Sequence, residues 1–218
     1  MCCKRKVVNF KNTIKHFSSA NKGTNFAGEK KCEDYHWGTY VSGNAVQISP
    51  RNEGQEFDVA SLKKKNVIII LAESPHVFEY YFQNGVCSGF KSPLHRCDNR
   101  IKKHLNANKN NWIDSKIEYD VVIVNAIQYQ CSFGLKLWKN QKNQDQRNKV
   151  FEWTWTNENA LADLQKRLST ICLNKNEVIL FNCCTAYLKK FCNAANIGVP
   201  KGCQNFLLFD EKHPSVWR

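Results

Sequence analysis

Lys65-Asn66-Val67-Ile68-Ile69-Ile70-Leu71-Ala72-Glu73-Ser74-Pro75-His76 is the stretch whose reading decides the fold. Val67 to Leu71 is an unbroken apolar run dominated by β-branched side chains. It is too short for a helix of ordinary length and has no alternating wet face, so it reads as a strand buried on both sides. The run gives way to small and polar residues and then to Pro75, which cannot continue a central strand. Open α/β sheets bind their ligands just beyond the carboxyl ends of parallel strands. Glu73, Ser74 and His76 therefore stand at the edge where chemistry is expected.

Downstream the same pattern recurs. Residues 119–125 read as a second buried strand, ending in Asn125 with Gln128 close behind. Residues 177–181 and 206–209 read as a third and a fourth, the last followed by His213. Between them, residues 77–83 read as a short helix closed by Asn84-Gly85. Residues 98–108 read as a basic helix with Ile101 and Leu105 on one face. Residues 157–172 carry Leu161, Leu164, Leu168 and Ile171 at helical spacing, and residues 185–196 form a further helix. Residues 88–93 and 139–149 read as loops, the second too charged to be buried. Strands alternating with helices predict an α/β fold, a three-layer α/β/α arrangement with a four-stranded parallel sheet.

Upstream, residues 1–60 read as a basic extension packed on or flanking a 61–218 core, the whole forming one domain. Residues 1–31 carry eight lysines and arginines interleaved with Ser, Asn and Gly, and residues 32–60 hold short strands or turns around Tyr35-His36-Trp37-Gly38-Thr39-Tyr40. The net charge of +13, from 32 basic and 19 acidic residues, calls for a polyanionic partner, usually nucleic acid and less often an anionic membrane surface. Eleven cysteines are an odd number, and several lie inside apolar patterns. Reduced, buried thiols in a cytoplasmic protein are therefore expected rather than a disulfide framework. No C-x-x-C occurs, so zinc-ribbon and iron–sulfur spacings are absent, and neither metal nor cofactor is expected. No signal peptide, membrane span or repeat is read, and a monomer is expected.

The strand ends bring a carboxylate (Glu73), an amide (Asn125) and an imidazole (His213) to one edge, with Phe90 in the loop beyond the first strand. Such a set suits a planar heterocycle, whose faces stack and whose edges hydrogen-bond. At this point the sequence resembles the uracil-DNA glycosylase superfamily. Ala72-Glu73-Ser74-Pro75-His76 looks like the motif written GEAPG in one branch and GQDPY in another. Val122-Ile123-Val124-Asn125-Ala126-Ile127 is similar to the strand that ends in the base-reading Asn. Val178-Ile179-Leu180-Phe181 with Thr185-Ala186 resembles the next strand and helix start, and His213-Pro214-Ser215 matches the HPS loop. The four stretches keep the family's order over residues 65–218.

The resemblance implies a uracil-DNA-glycosylase-like fold and a monofunctional DNA N-glycosylase acting in repair or antiviral defence. Its substrate would be uracil or a modified cytosine such as glucosylated hydroxymethylcytosine. Glu73 would position water or stabilise the cationic sugar, Asn125 would read the base edge, and His213 would stabilise the departing base. Ser74, His76, Phe90 and Gln128 would line the base pocket. Lys91, Ser92, Ser215 and Arg218 would contact DNA, and Trp217 would wedge into the duplex. Departures are plain: Ser74 stands where GQDPY has its water-activating Asp, and Ala72 replaces the first Gly. The alternative is a glycosylase-like module that binds DNA or protein without cutting.

Overall fold

The computed structural model of the 218-residue chain describes residues 8–47, 57–91, 93–107, 112–137 and 140–217. In chain order it runs α1 (Phe10–His16), β1 (Tyr35–Val41), β2 (Asn44–Gln47), β3 (Asn66–Ala72), β4 (Tyr80–Gln83), β5 (Val86–Phe90), α2 (Asp98–Ala107) and β6 (Tyr119–Asn125). It continues through α3 (Gln141–Asn157), α4 (Ala160–Ile171), β7 (Glu177–Asn182), α5 (Ala186–Lys189), α6 (Ala194–Ile197) and β8 (Asn205–Asp210). Short 3-10 turns lie at Val59–Ser61, Val77–Glu79, His95–Cys97 and Pro214–Val216.

β3 sits inside a six-stranded sheet of order β2-β1-β6-β3-β7-β8. It pairs in parallel with β6 and β7, and β7 pairs in parallel with β8. Its alternate side chains serve two cores, which is why the sequence shows no wet face. Val67, Ile69 and Leu71 join Phe10 of α1, Val150 and Phe151 of α3, and Leu164 and Leu168 of α4. Ile68 and Ile70 join Trp37, Tyr40 and the α2 residues Ile101 and Leu105. All five strand residues are fully buried, each contributing about 1.5–3 kcal/mol of transfer free energy.

The sheet is larger than the four strands expected. β1 pairs antiparallel with β6, and β2 antiparallel with β1. A bulge between His36 and Gly38 lets Tyr35, Trp37 and Tyr40 all reach the second core, which hides the period-two signal. Gly38 is required there, because a Cβ would lie 2.1 Å from the Val46 carbonyl oxygen. The described part of residues 1–60 is thus built into the domain, with Phe10 only 1% exposed and stacked on Tyr129 at 4.7 Å.

Two further expectations are corrected. The helix expected at 77–83 is a single 3-10 turn followed by the β4–β5 hairpin, which also takes in the first half of the expected 88–93 loop. Asn84 and Gly85 both have positive φ and form the hairpin turn that the pair favours. The 139–149 loop is largely the first half of α3, capped by the Asn140 side chain accepting from the Asn143 N–H at 3.1 Å. Arg147, Val150, Phe151, Thr154 and Trp155 fall on its buried face at helical spacing.

Candidate functional site

Strand register brings the polar strand ends to one edge. Ala72 pairs with Asn125, Leu71 with Asn182, and Asn182 with Asp210. Glu73, Asn125, the Cys183-Cys184-Thr185 turn and the His213 turn therefore follow or end neighbouring parallel strands. The backbone continues the pairing past β3, with Ala126 N–H donating to the Ala72 carbonyl at 2.7 Å and Ile127 N–H to that of Glu73 at 3.0 Å.

Glu73 is buried, and its carboxylate is not open to solvent water as a lone base. One oxygen is ion-paired with Arg147 of α3; the other accepts the Thr185 N–H at 2.8 Å. Arg147 is itself 5% exposed, and burial pushes its guanidinium down to about 10. It also lies within electrostatic reach of His213. Glu73 thus holds a cation at the strand edge.

Asn125 is 0% exposed, and neither its Oδ1 nor its Nδ2 makes a hydrogen bond of standard geometry among the described residues. Asn182, buried at the matching end of β7, is fully occupied by contrast: its Nδ2 donates to the Cys192 carbonyl and to Asp210 Oδ1. A buried amide whose hydrogen bonds are incompletely met costs about 1–3 kcal/mol, which folding alone gives no reason to retain. Asn125→Leu, close in size and free of polar atoms, is therefore expected to raise stability by roughly 1 kcal/mol. A urea unfolding midpoint below that of the parent would show the amide to be a structural group.

His213 caps the Pro214–Val216 turn. Its Nδ1 accepts the Ser215 N–H at 3.2 Å and lies 2.9 Å from Ser215 Oγ. With Nδ1 accepting, the neutral ring carries its proton on Nε2 and presents that edge as a donor. Burial, and then the Arg147 cation, push His213 down to about 4 from its ordinary 6.5. His76 is pushed down to about 4 as well, by burial first, then by Arg96 and His213. Both imidazoles are neutral at pH 7. The unfolded chain binds more protons than the folded one between about 6.5 and 4, so this contribution to stability is present above 6.5 and lost as pH falls through 4. The stability difference between the parent and His213→Gln should accordingly shift against the parent as pH drops from 7 to 4.5. A difference flat across that range would mean that His213 is not held neutral by the fold.

Glu79 and Arg147 were not legible as site residues. Glu79 is buried, accepts the Leu94 N–H at 3.0 Å and the His76 N–H at 3.3 Å, and faces the Asn125 amide. Burial pushes its carboxyl up to about 7 despite those donors. Asn125 is held from behind by Arg167 of α4, which donates to the Asn125 and Ala126 carbonyls at 3.0 and 3.1 Å, to Asp34 Oδ1 at 2.8 Å and to Asp163 at 2.8 Å.

Other expected site residues fall elsewhere. Ser74 bonds to the Cys131 thiol rather than taking up a carboxylate's role. Gln128 donates to Glu33 and Asp34 at 3.4 and 3.3 Å, on the Arg167 side of the strand end. Phe90 ends β5 and packs half-buried against Ala27, Cys32 and Tyr80. Trp217 is 5% exposed and stacked on His104 at 3.9 Å, so the indole is core packing where a wedge was expected. Its neighbour Val216 is 57% exposed instead. The Lys91 ammonium lies over the Tyr81 ring at 4.8 Å, Ser215 is exposed, and Ser92 and Arg218 lie outside the described residues. Cys184 is held protonated by its hydrogen bond to Cys192 and by burial, and Cys183 by burial, so neither is a ready nucleophile.

Among the described residues no group of three or more His, Cys, Asp or Glu is arranged to hold a metal, and no helix is long and apolar enough to cross a membrane. No protein-family model matches the chain, and no curated protein or solved structure is significantly similar to it.

Proposed function

We propose that the chain is a monofunctional DNA glycosylase that takes a flipped uracil or modified cytosine into the edge formed by Glu73, Asn125 and His213. The observation that carries this reading is the fully buried Asn125 amide, which closes no hydrogen bond of standard geometry and faces only the Glu79 carboxyl, on the same strand edge as a neutral imidazole whose Nε2–H is the donor. An amide, with a donor end and an acceptor end, is complementary to the edge of a pyrimidine, which offers a donor beside an acceptor. As the N-glycosidic bond breaks, its electron pair goes to the base and a cation develops on the sugar. His213 Nε2–H donates to the base oxygen that gains charge, and the buried Arg147 cation adds a favourable field beside it. Water then adds to the sugar C1′, its proton leaves to solvent, and an abasic site remains.

The charge of +13 supplies the grip on phosphates. Binding to a short duplex should weaken with salt at a log–log slope near −0.9 per phosphate neutralised. Salt-independent binding would remove DNA as the partner. The chemistry is tested by incubating the protein with duplexes containing uracil, hypoxanthine, hydroxymethylcytosine or glucosylated hydroxymethylcytosine and measuring released base. Release from at least one, leaving an alkali-labile abasic site, is expected.

A second reading is a module that binds DNA without cutting. It is favoured by Glu73 being closed off by Arg147 and by Ser74 bonding to Cys131, which leaves no unpaired carboxylate at the position of the water-activating Asp. Tight duplex binding with no base released from any of the four substrates would establish it.

A further inference from the structure

Glu79 comes from the 3-10 turn after β3 and is 6% exposed. Each of its carboxyl oxygens already accepts one backbone N–H, from Leu94 and from His76. Those bonds fix the carboxyl in place and leave capacity for one more partner, and the group it faces is the Asn125 amide. No hydrogen bond of standard geometry is closed between the two. A carboxylate can only accept, whereas a carboxylic acid donates one O–H. An anionic Glu79 therefore draws Nδ2 of Asn125 towards itself, and a protonated Glu79 draws Oδ1. The two states differ by a half-turn of the amide, which exchanges the donor and acceptor ends offered to a ligand.

We infer that Glu79 is the specificity-determining residue of this site: its proton sets which way round the Asn125 amide faces the ligand. The inference rests on Asn125 being the group that reads the base. A uracil-like edge offers the O4 acceptor beside the N3–H donor; a cytosine-like edge offers the N4–H donor beside the N3 acceptor. One amide matches both only by reversing its ends. Glu79 can make that reversal near neutrality, because burial holds its carboxyl at about 7. Among the described residues, the titratable and charged groups around it are His76 on the preceding turn, Tyr80 at the start of β4, and Cys97 with Arg96 on the His95–Cys97 turn. Burial keeps His76 down at about 4 and Cys97 up at about 11, Tyr80 lies well above its ordinary value, and an arginine stays charged. Of these groups, Glu79 alone changes charge between pH 6 and 8.

The test uses the full chain, labelled with nitrogen-15. The side-chain amide signals of Asn125, assigned by their loss in Asn125→Ala, are followed from pH 5.5 to 8.5. A single transition centred near 7 is expected in the parent and none in Glu79→Gln. Signals that do not move in the parent overturn the inference, and this outcome does not depend on Glu79→Gln folding. Single-turnover release is then compared at pH 6 and pH 8 on duplexes matched except for uracil or hydroxymethylcytosine. The ratio of the two rates should change by about tenfold or more between these pH values, the size of one mismatched edge. Moving signals with a constant ratio overturn the specificity assignment and leave the glycosylase reading intact. Moving signals with no base released from any duplex support the Glu79–Asn125 coupling and remove the glycosylase reading instead.

Discussion

His213→Ala is expected to slow single-turnover base release by ~10²–10³ while leaving duplex affinity within a few-fold of the parent. The ring is half-buried at the strand edge and is oriented by its own loop, through the Ser215 N–H on Nδ1. A donor fixed in this way needs no reorganisation when charge appears on the base oxygen. It therefore gains strength between ground and transition states, which is the condition for affecting rate rather than binding. Saturating protein in a single turnover separates the two effects. Asn125→Ala should behave differently, losing rate together with discrimination between bases. If His213→Ala released base as fast as the parent, the assignment of this imidazole to the departing base would fail.

Glu73→Ala should lose about 3–5 kcal/mol of unfolding free energy, the largest stability effect expected from one substitution near the site. The loss comes from what is left behind. Arg147 would remain buried on α3 with its guanidinium opposite no carboxylate, and the Thr185 N–H would lose its acceptor. A second substitution, Arg147→Met, removes the stranded charge and keeps volume, so Glu73→Ala with Arg147→Met should recover much of the loss. Denaturant midpoints for the two single variants and the double variant close the cycle. A Glu73→Ala loss below 1 kcal/mol would mean that the pair is solvated and that Arg147 is not a fixed cation at the pocket. Recovery of stability without recovery of base release is the expected pairing, because Arg147→Met also removes the field beside His213.

Much of this architecture could be read from the chain. Val67–Leu71, Val121–Val124 and Val178–Phe181 declare themselves because strands buried on both faces have no polar positions. The leucines of α4 declare it by spacing alone. From these, the edge carrying Glu73, Asn125 and His213 follows by register. What escaped reading did so for physical reasons. The first half of α3 is polar because its one buried residue there is Arg147, whose burial depends on a carboxylate some seventy positions earlier (74 apart). Local patterning contains no trace of that pairing. β4 and β5 were obscured because Tyr80 and Phe82 pack into a small satellite core with Ala27 and Cys32 rather than onto the main sheet. Glu79 looks like an ordinary surface acid until the loop carrying Leu94 closes over it. Trp217 looked like a probe for the duplex because nothing in the sequence announces that His104 will stack on it.

Arg167 ties together three stretches that are remote in sequence: Asp34, the Asn125-Ala126 carbonyls and its own helical turn at Asp163. Nearby, the Cys32 N–H donates to the Gln128 carbonyl at 2.8 Å, and the Gln128 amide returns to Glu33 and Asp34. The segment before β1 and the end of β6 are therefore one cooperative unit in the sense of local opening. Fraying residues 32–34 strips Arg167 of its counter-charge and unseats the backbone beneath Asn125, so the amides of Cys32, Ala126 and Ile127 should exchange with solvent as a group. The opening of that segment would then set how much of the population carries a formed strand edge at Asn125.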